Sequence, residues 1–164
     1  MNTMQKNGLA FWRGISAAAV VAGLTIASAS VANANGCPAD QMGVDVTKAG
    51  ATEPKDVTDN VLASIDLSKE MVALNDHQFR MRRLVIQPGG IVPWHNHADR
   101  PALIYIVQGE VTEYASDCKV PIVHKAGDVS IDAGLSHWWK NTGKTPAILI
   151  SSDLLKVGAD GKMM

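Results

Sequence analysis

The sequence predicts an all-β fold, a single antiparallel barrel or sandwich of about eight short strands. Three observations carry this prediction. Segments rich in β-branched and aliphatic residues recur at close spacing from residue 59 onward. Turns built on Gly, Pro, Asn or Asp separate them. Beyond residue 34, no stretch of about ten residues shows the apolar period of an amphipathic helix.

In chain order, the first element lies outside the barrel. Residues 1–34 read as an export signal. Lys6 and Arg13 give a positive start, and an uncharged run from Gly14 to Asn33 follows. Ala32-Asn33-Ala34 then supplies a small-x-small cleavage pattern. The run is long enough to cross a bilayer, so an uncleaved anchor is the alternative. Its small residues and the cleavage pattern favour removal, which leaves no stable membrane anchor and a periplasmic or secreted protein. Removing 34 of 164 residues leaves 130, enough for one domain with its own core. It also removes two positive charges and no negative ones, taking the formal charge from −1 to −3. No basic run survives, which argues against a nucleic-acid partner.

Residues 35–58 read as an extended N-terminal arm, 59–156 as the barrel and 157–164 as a C-terminal tail. The expected strands are Val61–Leu67, Gln78–Ile86, Ile91–His97, Ala102–Tyr114, Val120–His124, Val129–Asp132, Ser136–Asn141 and Ala147–Leu154. Leu103 to Val107 is almost continuously apolar, which suits a central strand covered on both faces. Exposed edges need charge or pairing, and a homodimer formed through one sheet would supply the pairing. Cys37 and Cys118 are the two cysteines, and an oxidising compartment would allow them to form a disulfide. Two free thiols are the alternative; neither cysteine belongs to a C-x-x-C redox pattern.

The chemistry concentrates in Gly89-Gly90-Ile91-Val92-Pro93-Trp94-His95-Asn96-His97, answered by Gly134-Leu135-Ser136-His137. Residues two apart on a strand share a face, so His95 and His97 would project side by side. His137 would join them only if a distant strand lay alongside. Imidazole is the commonest transition-metal ligand near neutral pH, so three convergent histidines would make a metal site. An H-x-H pair on a strand is otherwise a surface or hydrogen-bonded pair. His77 and His124 read as ordinary polar residues at strand ends.

These motifs resemble those of the cupin family. The stretch from Gly89 to Gly109, with His95-Asn96-His97 and Ile104 to Gly109, is similar to the first cupin motif. Gly127 to Asn141, with His137 and Asn141 four residues later, is similar to the second. The second lacks the usual proline and is one residue short before Gly134. The resemblance covers residues 75–155 and implies a small jelly-roll barrel whose inward histidines hold a divalent metal. It implies His95, His97 and His137 as ligands, with Fe²⁺, Zn²⁺, Mn²⁺ and Ni²⁺ not distinguishable. At the position of the family's ligand glutamate stands Ala102, and Asp99 has the wrong spacing to replace it. A neutral three-histidine site completed by water, a site with room for an anion, or a metal-free organic pocket are the three outcomes left open.

Trp139 shares a strand face with His137 and is expected to wall the pocket, with Trp138 pointing away. Tyr105 is a further pocket candidate, and Arg100, beside the histidine loop, is the candidate anchor for an anionic ligand. Arg80 and Arg82 share a strand face that reads as solvated, with an inward anion-binding face as the alternative. Together these readings predict an exported cupin in which a metal held by three histidines serves as Lewis acid or oxygen activator for a small organic molecule. An oxygenase or isomerase would fit, and a non-catalytic small-ligand- or metal-binding protein is the alternative.

Overall fold

A computed structural model describes residues 36–158. Its strands are β1 (Lys55–Asp66), β2 (His77–Asn96), β3 (Ala102–Gln108), β4 (Glu110–Ala115), β5 (Ile122–Lys125), β6 (Val129–Asp132), β7 (Ser136–Lys140) and β8 (Ala147–Lys156). They pair antiparallel in the order β5-β4-β7-β2-β8-β3-β6, with β1 added to β2, and curl into a nearly closed jelly-roll barrel. No α-helix occurs among the described residues; short 3-10 turns lie at Ala39–Gln41 and Leu67–Lys69.

The main boundary differences from the sequence reading have local reasons. The expected strands Gln78–Ile86 and Ile91–His97 form one long β2, because Pro88-Gly89-Gly90 bends the strand without ending it. A side chain at Gly90 would stand 2.8 Å from the Asp56 carbonyl, so glycine lets β1 close over the bend. Conversely, Ala102–Tyr114 is two strands. The strand breaks at Gly109, φ 78°, where the chain leaves β8 for β7, and a Cβ there would lie 2.8 Å from the Pro146 carbonyl. β1 also begins at Lys55, inside the expected arm.

The interior grades from apolar to polar along the barrel. Along β8, Ala147, Leu149, Ser151 and Asp153 point inward, while Ile86, Leu84, Arg82 and Arg80 do so along the first half of β2. Leu84, Ile86, Val92, Ile104, Ile106, Val111, Trp139, Ala147 and Leu149 form the apolar core. On β3 only Ala102, Ile104 and Ile106 are buried; Leu103, Tyr105 and Val107 face outward. This corrects the picture of β3 as a strand covered on both faces.

Cys37 and Cys118 form a disulfide whose Cα atoms are 5.9 Å apart. It closes a loop across a sequence separation of 81, which stabilises the fold by about 4–5 kcal/mol in the chain-entropy account. With Ala115 and Ile122 it makes a second small core. The tail following it is pinned by a bridge from Met42 to Cys118 and by the Thr47 hydroxyl donating to the Cys118 carbonyl at 2.6 Å. The export signal proposed for residues 1–34 lies outside the described residues.

Candidate metal centre

The second half of β2 pairs with β7 so that His95 stands directly opposite His137. A one-residue bulge makes this possible: from Val92 to His95 β2 advances three residues while β7 advances two, Trp139 to His137. Without it, Val92 and His95 would lie on opposite faces, and one of them would leave the interior. His97 follows just past the strand end, where its backbone N–H donates to the Leu135 carbonyl at 2.8 Å. All three imidazoles are buried.

Each ring has its proton held on the outer nitrogen. His95 Nδ1–H donates to the Pro93 carbonyl at 2.8 Å and His97 Nδ1–H to the Arg100 carbonyl at 2.7 Å. His137 Nδ1–H donates to Glu113 Oε1 at 2.5 Å. Trp139 Nε1 also reaches His137 Nδ1 at 3.0 Å, but the carboxylate contact is shorter and fixes the proton on the imidazole. Three Nε2 lone pairs are therefore turned toward one point. His95 Nε2 is 2.9 Å from His97 Nε2 and 3.0 Å from His137 Nε2.

Lone pairs at that spacing repel unless a cation or a shared proton lies among them. Burial, reinforced by the charge of His137, holds His95 at a pKa of about 2, and burial likewise holds His97 at about 3. Both are neutral, ligand-ready imidazoles. Burial alone would lower His137 too, but Asp132 and Glu113 outweigh it and raise its affinity for a proton. The donor set fits a divalent transition metal. Two nitrogens at right angles and ~2.1 Å from one ion would be roughly 3 Å apart, matching the 2.9 and 3.0 Å separations.

Glu113 and His124 were not among the residues singled out for the site. Burial would raise Glu113, but hydrogen bonds from His124 and His137 overcome it and hold the carboxyl at about 2. His124 Nε2 donates to Glu113 Oε2 at 2.7 Å, and its ring stacks on Trp139 with centroids 5.0 Å apart. A histidine read as an ordinary strand-end residue is thus buried behind the site. In the chain His124–Glu113–His137 the carboxylate fixes the tautomer of His137 and raises its basicity, the arrangement that orients a metal-ligating histidine. Strand alternation was the one usable signal, since Glu113 lies two residues from inward-facing Ala115 on the strand beside His137.

Trp139 lies in the interior at the base of the trio, 5.6 Å from His137 between ring centroids. Trp138 points away and stacks on Tyr114. Tyr105 is corrected: alternation along β3 places it on the outer surface, 47% exposed, so it lines no interior pocket. Asp99 is exposed and holds no place at the centre. The reading of Arg80 and Arg82 as a solvated face is also overturned, since both are buried. Their strand register forces this, because Arg80 pairs with Asp153 and Arg82 with Ser151 on β8. Arg80 makes a two-pronged contact to Asp153 at 3.0 and 2.7 Å, and Arg82 pairs with Asp59. Arg100 Nη1 lies 3.8 Å from Asp153 Oδ2. Three guanidinium groups thus face two carboxylates, leaving one positive charge beside the histidines. Burial, then the charge of Arg82, lowers the pKa of Arg100.

A jelly-roll barrel with two histidines on one strand end and a third on its neighbour defines a cupin domain. Residues 82–153 match the family model described as "Cupin domain", and this chain carries a small domain of that family. The chain is similar to Nectarin-1 of Nicotiana langsdorffii x Nicotiana sanderae, 29% identical over 118 residues, covering 70% of this chain and 50% of the relative. It is also similar to Auxin-binding protein ABP19b of Prunus persica, 34% identical over 76 residues, 44% of this chain and 36% of the relative. The chain spans half the length or less of these curated relatives. Among solved structures, a predicted oxalate decarboxylase from Thermotoga maritima aligns with a TM-score of 0.48 at 23% identity, covering 66% of this chain and 97% of that one.

Proposed function

We propose that this protein is an exported cupin that holds one divalent transition metal through His95, His97 and His137 and uses it on a small organic anion. The observation that carries this reading is the fixed direction of three Nε2 lone pairs, each set by an acceptor on the opposite nitrogen. Such a metal supplies Lewis acidity or oxygen activation, the chemistry of an oxygenase or isomerase. The chain's own part is to bind, orient and exclude water. Glu113 keeps the His137 proton on Nδ1, so its other nitrogen remains a donor to the metal. Arg100, part of a cluster with one uncompensated positive charge, is placed to hold a carboxylate or phosphate near the histidines. Trp139 and Val92 form a dry floor below them.

Export is supported by the Cys37–Cys118 disulfide, a bond favoured outside the reducing cytosol. A homodimer would cover the apolar residues Leu103, Tyr105, Val107, Val129 and Ile131 that β3 and β6 leave exposed. A non-catalytic ligand-binding role is the second reading, favoured by the likeness to a protein named for binding auxin. Thermal-shift screening of metal-loaded protein against small organic acids, followed by product analysis of each hit, separates the two. Ligand-dependent turnover lost in Arg100→Ala supports the first. Stabilisation by a ligand without product supports the second, and no stabilisation by any organic acid contradicts the anion reading.

A further inference from the structure

We infer that the carboxylate missing at Ala102 has been replaced from the neighbouring strand, with Asp132 of β6 as the fourth protein ligand of the metal. The inference rests on the three-histidine reading above. β3 is flanked by β6 and β8, and Ala102 pairs with Asp132 on one side and Asp153 on the other. Both aspartates are buried, yet they are not equivalent. Asp153 is consumed by the arginines, with Arg80 on both of its oxygens. Asp132 accepts one hydrogen bond, from Ser130 Oγ to Oδ1 at 2.6 Å. Its other oxygen, Oδ2, is buried without any hydrogen-bond partner.

That orphaned oxygen faces the histidines. Oδ2 lies 3.6 Å from His137 Nε2 and 4.0 Å from His97 Nε2. A fully buried carboxylate oxygen without a donor is costly, and natural structures satisfy such atoms or use them to bind something. Both imidazole nitrogens lie beyond hydrogen-bond distance of it. A cation shared by Oδ2 and the three Nε2 atoms satisfies all four at once. The donor set becomes three neutral imidazoles and one carboxylate, so a divalent ion carries a net charge of +1. Ser130 holds Oδ1 and leaves Oδ2 as the oxygen that can coordinate, the role an outer hydrogen bond plays for a ligating carboxylate. The carboxylate thus enters from one strand over, at the register position beside the alanine.

The test uses the full mature chain purified without a metal-affinity tag. Co²⁺ and Mn²⁺ affinities are measured by chelator competition, with the Co²⁺ absorption spectrum as a second readout. Asp132→Asn, which keeps the shape and removes the charge, should weaken binding by roughly 100-fold or more, beyond the 10–100-fold range of an outer-shell partner. Its Co²⁺ spectrum should change, whereas Asp132→Glu should retain the wild-type spectrum. Asp132→Ala combined with Ala102→Glu should recover most of the affinity lost in Asp132→Ala alone, a rescue that a merely structural Asp132 would not allow. An Asp132→Asn protein that binds Co²⁺ within about threefold of wild type, with an unchanged spectrum, overturns the proposal while the three-histidine site stands. A wild type that binds neither ion overturns both.

Discussion

Two buried polar clusters share one end of this barrel, and they are built to opposite rules. In the arginine cluster each carboxylate meets a guanidinium: Arg80 and Arg82 reach Asp153 and Asp59 across two strand pairs, and Arg100 is the surplus positive charge. In the histidine cluster, acceptors face acceptors at 2.9 and 3.0 Å, and a carboxylate oxygen beside them has no donor. The first is an ion-pair network in which donors face acceptors. The second is an incomplete set that a cation or a shared proton at its centre would complete. Burial does not distinguish the two, because both are withdrawn from water; the direction of the lone pairs does.

The comparison predicts that the two clusters fail differently. The largest effect should come from Asp153→Ala, which strips Arg80 and Arg82 of a shared carboxylate. It should cost about 3–5 kcal/mol of folding stability, read from urea unfolding. A loss below about 1 kcal/mol would show that the arginine network is solvated and not closed. His137→Ala should do the reverse, weakening metal binding more than ~100-fold, past the range of outer-shell changes. In the absence of metal it should cost less stability than Asp153→Ala, because relief of lone-pair repulsion offsets part of the lost Glu113 contact. Glu113→Gln keeps a hydrogen-bonding shape behind His137 but removes the charge that fixes its tautomer. A loss of about 10–100-fold in metal affinity with an unchanged stoichiometry is expected by chelator competition. The smallest effect belongs to the outer face: Leu103→Glu should change metal affinity by less than ~1.4 kcal/mol, a tenfold factor. It should nonetheless halve the mass seen by light scattering if β3 carries a dimer contact.

Much of this was legible in the sequence because period-two alternation and turn residues are local signals. They located the strand regions, the H-x-H pair and the distant His137, and the resemblance to cupins supplied the pairing that brings them together. Long-range register was the part that local signals could not carry. Arg80 and Arg82 look like a solvated face until β8 is known to set Asp153 opposite one of them. Tyr105 looks like a pocket residue by proximity, yet one step along β3 from Ile104 turns it outward. Glu113 and His124 matter only because β4 lies between β5 and β7, an adjacency no spacing reveals. Asp132 was passed over because the search for a carboxylate followed the chain, whereas its position follows the sheet. The disulfide, in contrast, followed from the expectation of export and the count of two cysteines, with free thiols as the alternative that the structure removes.

The most direct test of the central claim is elemental analysis of the mature protein, purified from its native compartment without a metal-affinity tag, beside His95→Ala and His137→Ala. The account predicts close to one transition metal per chain in the wild type and almost none in either variant. A wild type that contains no metal and takes up none of Fe²⁺, Zn²⁺, Mn²⁺ or Ni²⁺ would contradict it, and the three histidines would then share a proton in place of an ion.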